Sequence, residues 1–198
     1  MVALKPLHDK YKIKRVVYST YQAVSGAGMS GYKDLEDGLK GEAPKKFPHP
    51  IAGNCLPHID VFLPNGYTKE EMKMVNETHK MLHDDSIAIT ATTVRVPVFR
   101  SHAESIMVET ADELDVEAVR KAINAFPGAQ VQDNPAEMEY PMPLYTSEKY
   151  DCYVGRIRKD LYNPKAINLW VSGDQIRKGA ALNALQIAEY MLAHDMIK

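Results

Sequence analysis

Cysteine is nearly absent from this sequence. Cys55 and Cys152 are the only two, and neither sits in a CxxC or a Cys/His ligand cluster. Two isolated thiols argue against a disulfide framework and fit a reducing cytoplasm, although one bridge between them stays open. An excess of either charge is missing as well. The 24 basic and 26 acidic side chains leave a net charge of -2, so neither nucleic acid nor an anionic membrane is implied as a partner. No apolar run is long enough to span a membrane, and the opening MVALKPLHDKYKIKR lacks the apolar stretch of a secretory signal. The cytoplasm is therefore the expected location. Also missing are an internal repeat, a metal-ligand cluster, and the strand, GxGxxG turn and later acidic residue that open a dinucleotide-binding unit. What remains is 198 residues, 45% of them hydrophobic, with 11 glycines and 12 prolines. That suffices for one sizeable core and is too apolar and too balanced for disorder.

Punctuation and periodicity give the elements. VALKPLHDKY reads as a short helix or the tail of one. KIKRVVYSTYQAVSG reads as a strand, rich in Val, Tyr and Thr, entering a glycine turn. A short helix follows, then a long excursion that Pro44, Pro48 and Pro50 keep irregular. Residues 68 to 82 form the clearest helix, with Thr68 and Glu71 as a capping box. Strands are expected at 86 to 96, 101 to 111, 152 to 160 and 166 to 171. A helix begins at Asp115 and ends at Pro127 and Gly128. Asp174 is expected to cap a long helix running to about Met196, apolar around much of its circumference and so covered on more than one side. The sum is an α/β chain of the α+β type: one domain over 1 to 198, with a mixed, largely antiparallel sheet and helices on one face. The other sheet face needs a partner.

Four places can carry chemistry, each with a plain alternative. In STYQAVSGAG, Gln22 ends a strand and Ser25, Gly26 and Gly28 make a turn whose N–H groups can face an anion; the plain alternative is a loop. In RVPVFRSH, Arg95 offers a carboxylate fork and His102 a base, if two antiparallel strands joined there bring them to one rim. Arg100 is equally able to bind an anion, and pattern alone does not separate the two arginines. Glu70 and Lys73 share a helix face, either as substrate contacts or as an exposed ion pair. In VSGDQIRKG, Gln175 sits at a helix start where it can bond an amide; ordinary capping by Asp174 explains the same residues. The word GNCLPH around Cys55 and His58 looks like a nucleophile setting, but closeness in sequence does not supply the geometry.

YSTYQAVSGAG, GYTKEEMKMVNETHKML, RVPVFRSH and VSGDQIRKGAA occur together and in this order. The ordered set resembles the C-terminal portion of the aspartate-semialdehyde dehydrogenase family, over nearly the whole chain. The resemblance implies a fold like the C-terminal domain of glyceraldehyde-3-phosphate dehydrogenase-like enzymes. It implies reduction of aspartyl phosphate by NADPH to aspartate semialdehyde and phosphate, through a cysteine thioester. That step belongs to amino-acid biosynthesis, toward lysine by way of diaminopimelate, threonine and methionine. By the resemblance, His102 is similar to the acid/base histidine and Gln22 to the glutamine beside the nucleophile. Arg95, now preferred over Arg100, is similar to the carboxylate-binding arginine. Glu70 resembles the carboxylate that meets the substrate amine, and Lys73 a phosphate-binding residue. Ser25, Gly26 and Gln175 resemble positions that touch the nicotinamide nucleotide.

The departures are as informative. In the family the nucleophile lies upstream of the YQAVSG segment by more residues than precede Gln22 here. Its asparagine-cysteine word and the nucleotide-binding domain are not in this sequence. Cys55 also follows an asparagine, but it stands in the excursion after Gln22. The chain therefore reads as a fragment holding the substrate and dimerisation half. It is expected to form a homo-oligomer, to bind NADP weakly or not at all, and to be inactive alone, with the late apolar helix docking on the nucleotide domain. Two other readings stay open. One is a related reductase of N-acetylglutamyl phosphate, which would gain nothing from Glu70 because its substrate has no free amine. The other is a non-catalytic assembly domain that pairs with a separate nucleotide-binding chain.

Overall fold

The computed structural model describes residues 1–197. Lys5–Tyr11 forms α1; Leu4 at its N-cap and Leu7 within it are fully buried. Lys12 ends it with φ 56 and turns the chain into β1, Ile13–Gln22. Alternation along β1 sends Val16, Tyr18, Thr20 and Gln22 to one face, and all four are buried. A short turn at Val24–Ala27 leads to α2, Met29–Gly38. The excursion follows, and Lys69–Leu82 makes α3. The predicted capping box is present: the Thr68 hydroxyl accepts the Glu71 N–H at 3.2 Å, and the Glu71 carboxylate accepts the Thr68 N–H at 2.8 Å.

The remaining elements are β2 (Ala88–Arg95), β3 (His102–Thr110), α4 (Val116–Asn124), β4 (Ala129–Val131), α5 (Pro143–Thr146), β5 (Cys152–Lys159), β6 (Ala166–Gly173) and α6 (Leu182–Ala193). The six strands form one sheet in the order β2-β1-β3-β6-β5-β4. Pairs β1/β3, β3/β6 and β5/β6 are antiparallel, whereas β1/β2 and β4/β5 are parallel. The sheet is thus mixed and largely antiparallel, as expected. Residues of α1, α3 and α4 join Val16, Tyr18, Ile106, Val108 and Leu169 in the main core, so these helices cover one face. Each fully buried Leu or Ile of this kind contributes roughly 2–3 kcal/mol. A second, smaller cluster of Val24, Leu35, Ile51 and Leu56 holds α2 and the excursion together.

The structure differs from expectation in three places. First, β2 and β3 are not a hairpin. β1 lies between them, and the strap 96–101 crosses its end, with the Val96 N–H on the Gln22 carbonyl and the Val24 N–H on the Val98 carbonyl. Second, the long helix predicted from Asp174 to about Met196 is interrupted. Arg177–Ala181 is a wider turn, broken where Gly179 takes φ 149, a conformation that favours glycine, so the regular helix is Leu182–Ala193. Third, that helix is not covered: none of its residues is buried, and Leu185, Ile187 and Leu192 are all more than half exposed. Two elements escaped the sequence reading. β4 has only three residues, and α5 a single turn behind Pro143, both too short for a periodic signal.

Candidate active site

Sheet register assembles the site. Gln22 at the end of β1 pairs with Arg95 at the end of β2. Tyr21 pairs with Ala103, so His102 opens β3 on the far side of Gln22. Gly173 of β6 pairs with His102. Arg95, Gln22 and His102 therefore lie in a row across neighbouring strands, on the face that carries the helices. This is how residues far apart in sequence come within reach of one another without any hairpin between Arg95 and His102.

Above this row, Glu70 at the start of α3 accepts a hydrogen bond from the Gln22 amide at 3.3 Å. Its other oxygen lies 3.6 Å from the Lys73 ammonium. The ion pair exists, and Glu70 ties it to the row through Gln22. Lys73 stands at the rim with 55% of its side chain exposed, Glu70 with 20%. The neighbour Glu71 sets this placement, because its carboxylate also accepts the Thr93 N–H of β2 at 3.0 Å and fixes the helix start to the sheet edge.

The structure separates the two arginines. Arg100 is committed to Asp174 at 2.8 Å and Glu148 at 3.1 Å. The Asp174 carboxylate is fully buried and also accepts the N–H groups of Glu148 and Ile176. Among the described residues Arg95 makes no such pair. It is 6% exposed, and its Nη1 donates to the Ala23 carbonyl at 2.7 Å. Burial lowers its pKa from the ordinary value, and the nearby Glu70 charge opposes that shift.

His102 Nδ1 accepts the Ala23 backbone N–H at 3.1 Å. A backbone N–H can donate only to a lone pair, so the neutral ring carries its proton on Nε2. Burial, with the Arg95 charge second, pushes the pKa of His102 down to about 3. Gly26 faces both groups. A Cβ built there would stand 2.8 Å from Arg95 Nη1 and 3.3 Å from His102 Nε2, so the glycine leaves the space in front of them open. Beside it the Gln175 amide donates to the Ser25 hydroxyl. Gln175 Oε1 is buried and has no partner among the described residues. Ser25, Gly26 and Gln175 are thus brought together at the His102 end of the row.

A cavity of about 430 Å³ adjoins this end, lined by Met1, His102, Glu104, Cys152, Gln175 and Lys178. Both cysteines are free, and neither matches a nucleophile setting. Cys55 is exposed in the excursion, next to the Leu56 bridge to Arg95. Cys152 shares the cavity with His102, which its place in a strand gave no reason to expect, but burial pushes its thiol pKa up. Glu104 and Ser101 also escaped the sequence reading. Glu104 lies on the same strand face as His102, and its carboxyl pKa is raised by burial. Ser101 is buried at φ 70, and its hydroxyl bonds that of Ser147 at 3.1 Å, bracing the turn into β3. For Glu104 the two-residue strand period was an available signal. For Ser101 there was none.

Comparison with known proteins agrees with this fold. Residues 4–178 match the family described as semialdehyde dehydrogenase, dimerisation domain. The aspartate-semialdehyde dehydrogenase of Aquifex aeolicus is 52% identical over all of this chain and 60% of its own length. Aspartate semialdehyde dehydrogenase II from Vibrio cholerae superposes with a TM-score of 0.92 at 44% identity, covering 97% of this chain and 58% of that one. The same enzyme solved as a complex with ASA gives 0.91 at 43% identity, covering 96% and 58%. The Candida albicans enzyme solved with NADP gives 0.74 at 25% identity, covering 98% and 55%. The chain spans about three-fifths of the length of the relatives it matches. Fold, site geometry and similarity lead to one conclusion: this chain belongs to the semialdehyde dehydrogenase dimerisation-domain family.

Proposed function

We propose that this chain is the substrate-binding and dimerisation half of an NADP-dependent aspartate-semialdehyde dehydrogenase, acting in the cytoplasm in the biosynthesis of lysine, threonine and methionine. The observation that carries this reading is the row of Arg95, Gln22 and His102, with Glu70 bonded to Gln22 above it. A small amino acid with a charged group at each end needs such a polar cradle. Arg95 presents nitrogens to the α-carboxylate, Glu70 receives the α-ammonium, and Lys73 at the rim meets the phosphate. His102 is neutral and carries its N–H at Nε2, which donates a hydrogen bond toward the reacting carbonyl oxygen or the departing sulfur. Gln22 orients the reacting carbonyl from the middle of the row.

The reaction also needs a hydride and a thiolate. When bound, NADPH supplies the hydride. Gln175 suits its carboxamide, because Oε1 is a buried acceptor with no partner among the described residues, and Gly26 leaves room beside it. Ser25 holds the Gln175 amide in place. The thiolate comes from the part of the enzyme outside these 198 residues, since the thiol of Cys152 is raised by burial and Cys55 lies in the excursion. The exposed apolar side chains of α6 dock on that same part.

Glu70 favours aspartyl phosphate over an N-acetylated acyl phosphate, which has no ammonium to pair with it. The test is complementation. The chain alone is expected to show no phosphate-dependent reduction of NADP by aspartate semialdehyde. Mixed with the nucleotide-binding part of the Aquifex relative, it is expected to gain that activity and lose it again in Arg95→Ala. Cysteine-dependent turnover by the chain alone would overturn the reading. Failure of every mixture to turn over, with oligomers intact, would point instead to a non-catalytic assembly domain.

A further inference from the structure

The excursion between α2 and α3 takes no part in the cradle described above, yet it grips Arg95. Leu56 and Arg95 exchange backbone hydrogen bonds, N–H to carbonyl at 2.9 and 2.8 Å, so the excursion adds a partner to the outer edge of β2 at this residue. The Arg95 guanidinium lies over the Phe47 ring at cation–π distance, with Cζ 5.9 Å from the ring centroid. Phe47 also packs on the cluster formed by Val24, Leu35, Ile51 and Leu56. What presents the ring is Asp34 of α2. Its carboxylate, 4% exposed, accepts the N–H groups of Lys45, Lys46 and Phe47, each at 2.8 Å. Burial alone would raise the Asp34 pKa, but these three donors outweigh it and hold the carboxyl below its ordinary value. Three charge-assisted bonds to consecutive amides make a rigid clamp in a segment whose prolines deny it regular structure.

A guanidinium has two faces and one plane of N–H bonds. An aromatic ring over a face attracts the cation and excludes water there, leaving the in-plane edge for a planar acceptor. Among the described residues, the Ala23 carbonyl is the one hydrogen-bond acceptor for the Arg95 side chain, through Nη1. The rest of the fork is free for a ligand. We propose that Phe47 is a positioning residue for substrate recognition: its ring covers one face of the Arg95 guanidinium so that the remaining N–H edge is aimed at the substrate α-carboxylate. This inference rests on the assignment of Arg95 as the carboxylate fork. It makes the excursion a specificity element rather than a connection.

Two probes separate this role from simple packing. L-aspartate carries the α-carboxylate, and β-alanine is the same molecule without it. Binding of each to the 198-residue chain is followed by NMR titration, in the unaltered protein and in Phe47→Leu, Phe47→Tyr and Arg95→Met. Leucine keeps the apolar packing and removes the π face, and tyrosine keeps both. The expected result is a loss of L-aspartate affinity in Phe47→Leu of about three- to tenfold, no change for β-alanine, and recovery in Phe47→Tyr. Equal weakening of both probes, no recovery with tyrosine, or unchanged L-aspartate binding in Phe47→Leu while Arg95→Met abolishes it, overturns the role of Phe47. If Arg95→Met keeps the preference for L-aspartate, or the unaltered chain shows no saturable shift with it, the assignment of Arg95 has failed and the inference falls with it.

Discussion

At the scale of single residues, the site is shaped by what each side chain is denied. Gly26 is denied a Cβ because Arg95 and His102 occupy that space. Its replacement by alanine is expected to push both groups aside and weaken L-aspartate binding about tenfold or more. The free energy of unfolding should stay within about 1 kcal/mol of the parent; titration and urea unfolding of the same sample check both halves. His102 is denied its charge. Its ring resonances are expected to stay flat from about pH 5 to 8, and a midpoint near its ordinary 6.5 would contradict the buried, Arg95-facing environment. As the folded pKa lies below the unfolded one, the stability tied to this histidine is complete above 6.5. It is lost as the pH falls from there toward 3, because the unfolded chain takes up the proton first. The choice between Arg95 and Arg100 also belongs to this scale. Local sequence left them equal, and only the burial of Asp174 beside Arg100 shows which arginine is already paired.

Elements carry these residues, and their ends matter more than their middles. The capped start of α3 is the clearest case. Glu71 closes the capping box and also takes the Thr93 N–H of the edge strand, so one carboxylate aligns helix, sheet and the adjacent Glu70. Glu71→Ala removes the cap and leaves a buried donor unpaired, and is expected to cost roughly 2–4 kcal/mol. Glu71→Gln, which retains one acceptor, should cost less; denaturant midpoints of the two variants decide. The capping box was legible because its spacing is local. The second bond, to Thr93, was not, because it depends on where β2 lies. The helix predicted to begin at Asp174 failed for the same kind of reason. Its apolar pattern continues through Gly179, but the backbone there takes a conformation that ends one coil before another begins.

At the scale of the whole molecule, the sheet has one face filled and one partly open. Val17, Met107 and Asn168 pair across β1, β3 and β6 on the side away from α1, α3 and α4. The segment around Pro141 covers only the Trp170 region, where the indole N–H donates to the Pro141 carbonyl at 2.7 Å. The match to a dimerisation-domain family supports the proposal that a second copy covers this face. If the proposed homodimer forms across this face, Met107→Glu is expected to shift the sedimentation of the chain from dimer toward monomer, since a charge buried in the contact is desolvated without a partner. An unchanged dimer would move the interface elsewhere, to α6 or the excursion.

Much of this protein was decided in the sequence itself. Strand alternation, the capping box and punctuation by Pro and Gly act over a few neighbouring residues, and they determine most elements, the mixed and largely antiparallel class, and the three segments that hold Gln22, Glu70, Arg95 and His102. The tertiary structure decided what those segments do to one another. Strand order put β1 between β2 and β3, and register set Arg95, Gln22 and His102 in one row. The buried carboxylates of Asp34 and Asp174 fixed loops that have no pattern of their own. Periodicity reports a residue's own face and cannot report the partner across the sheet. For that reason the grip of the excursion on Arg95 became visible only once the chain was folded.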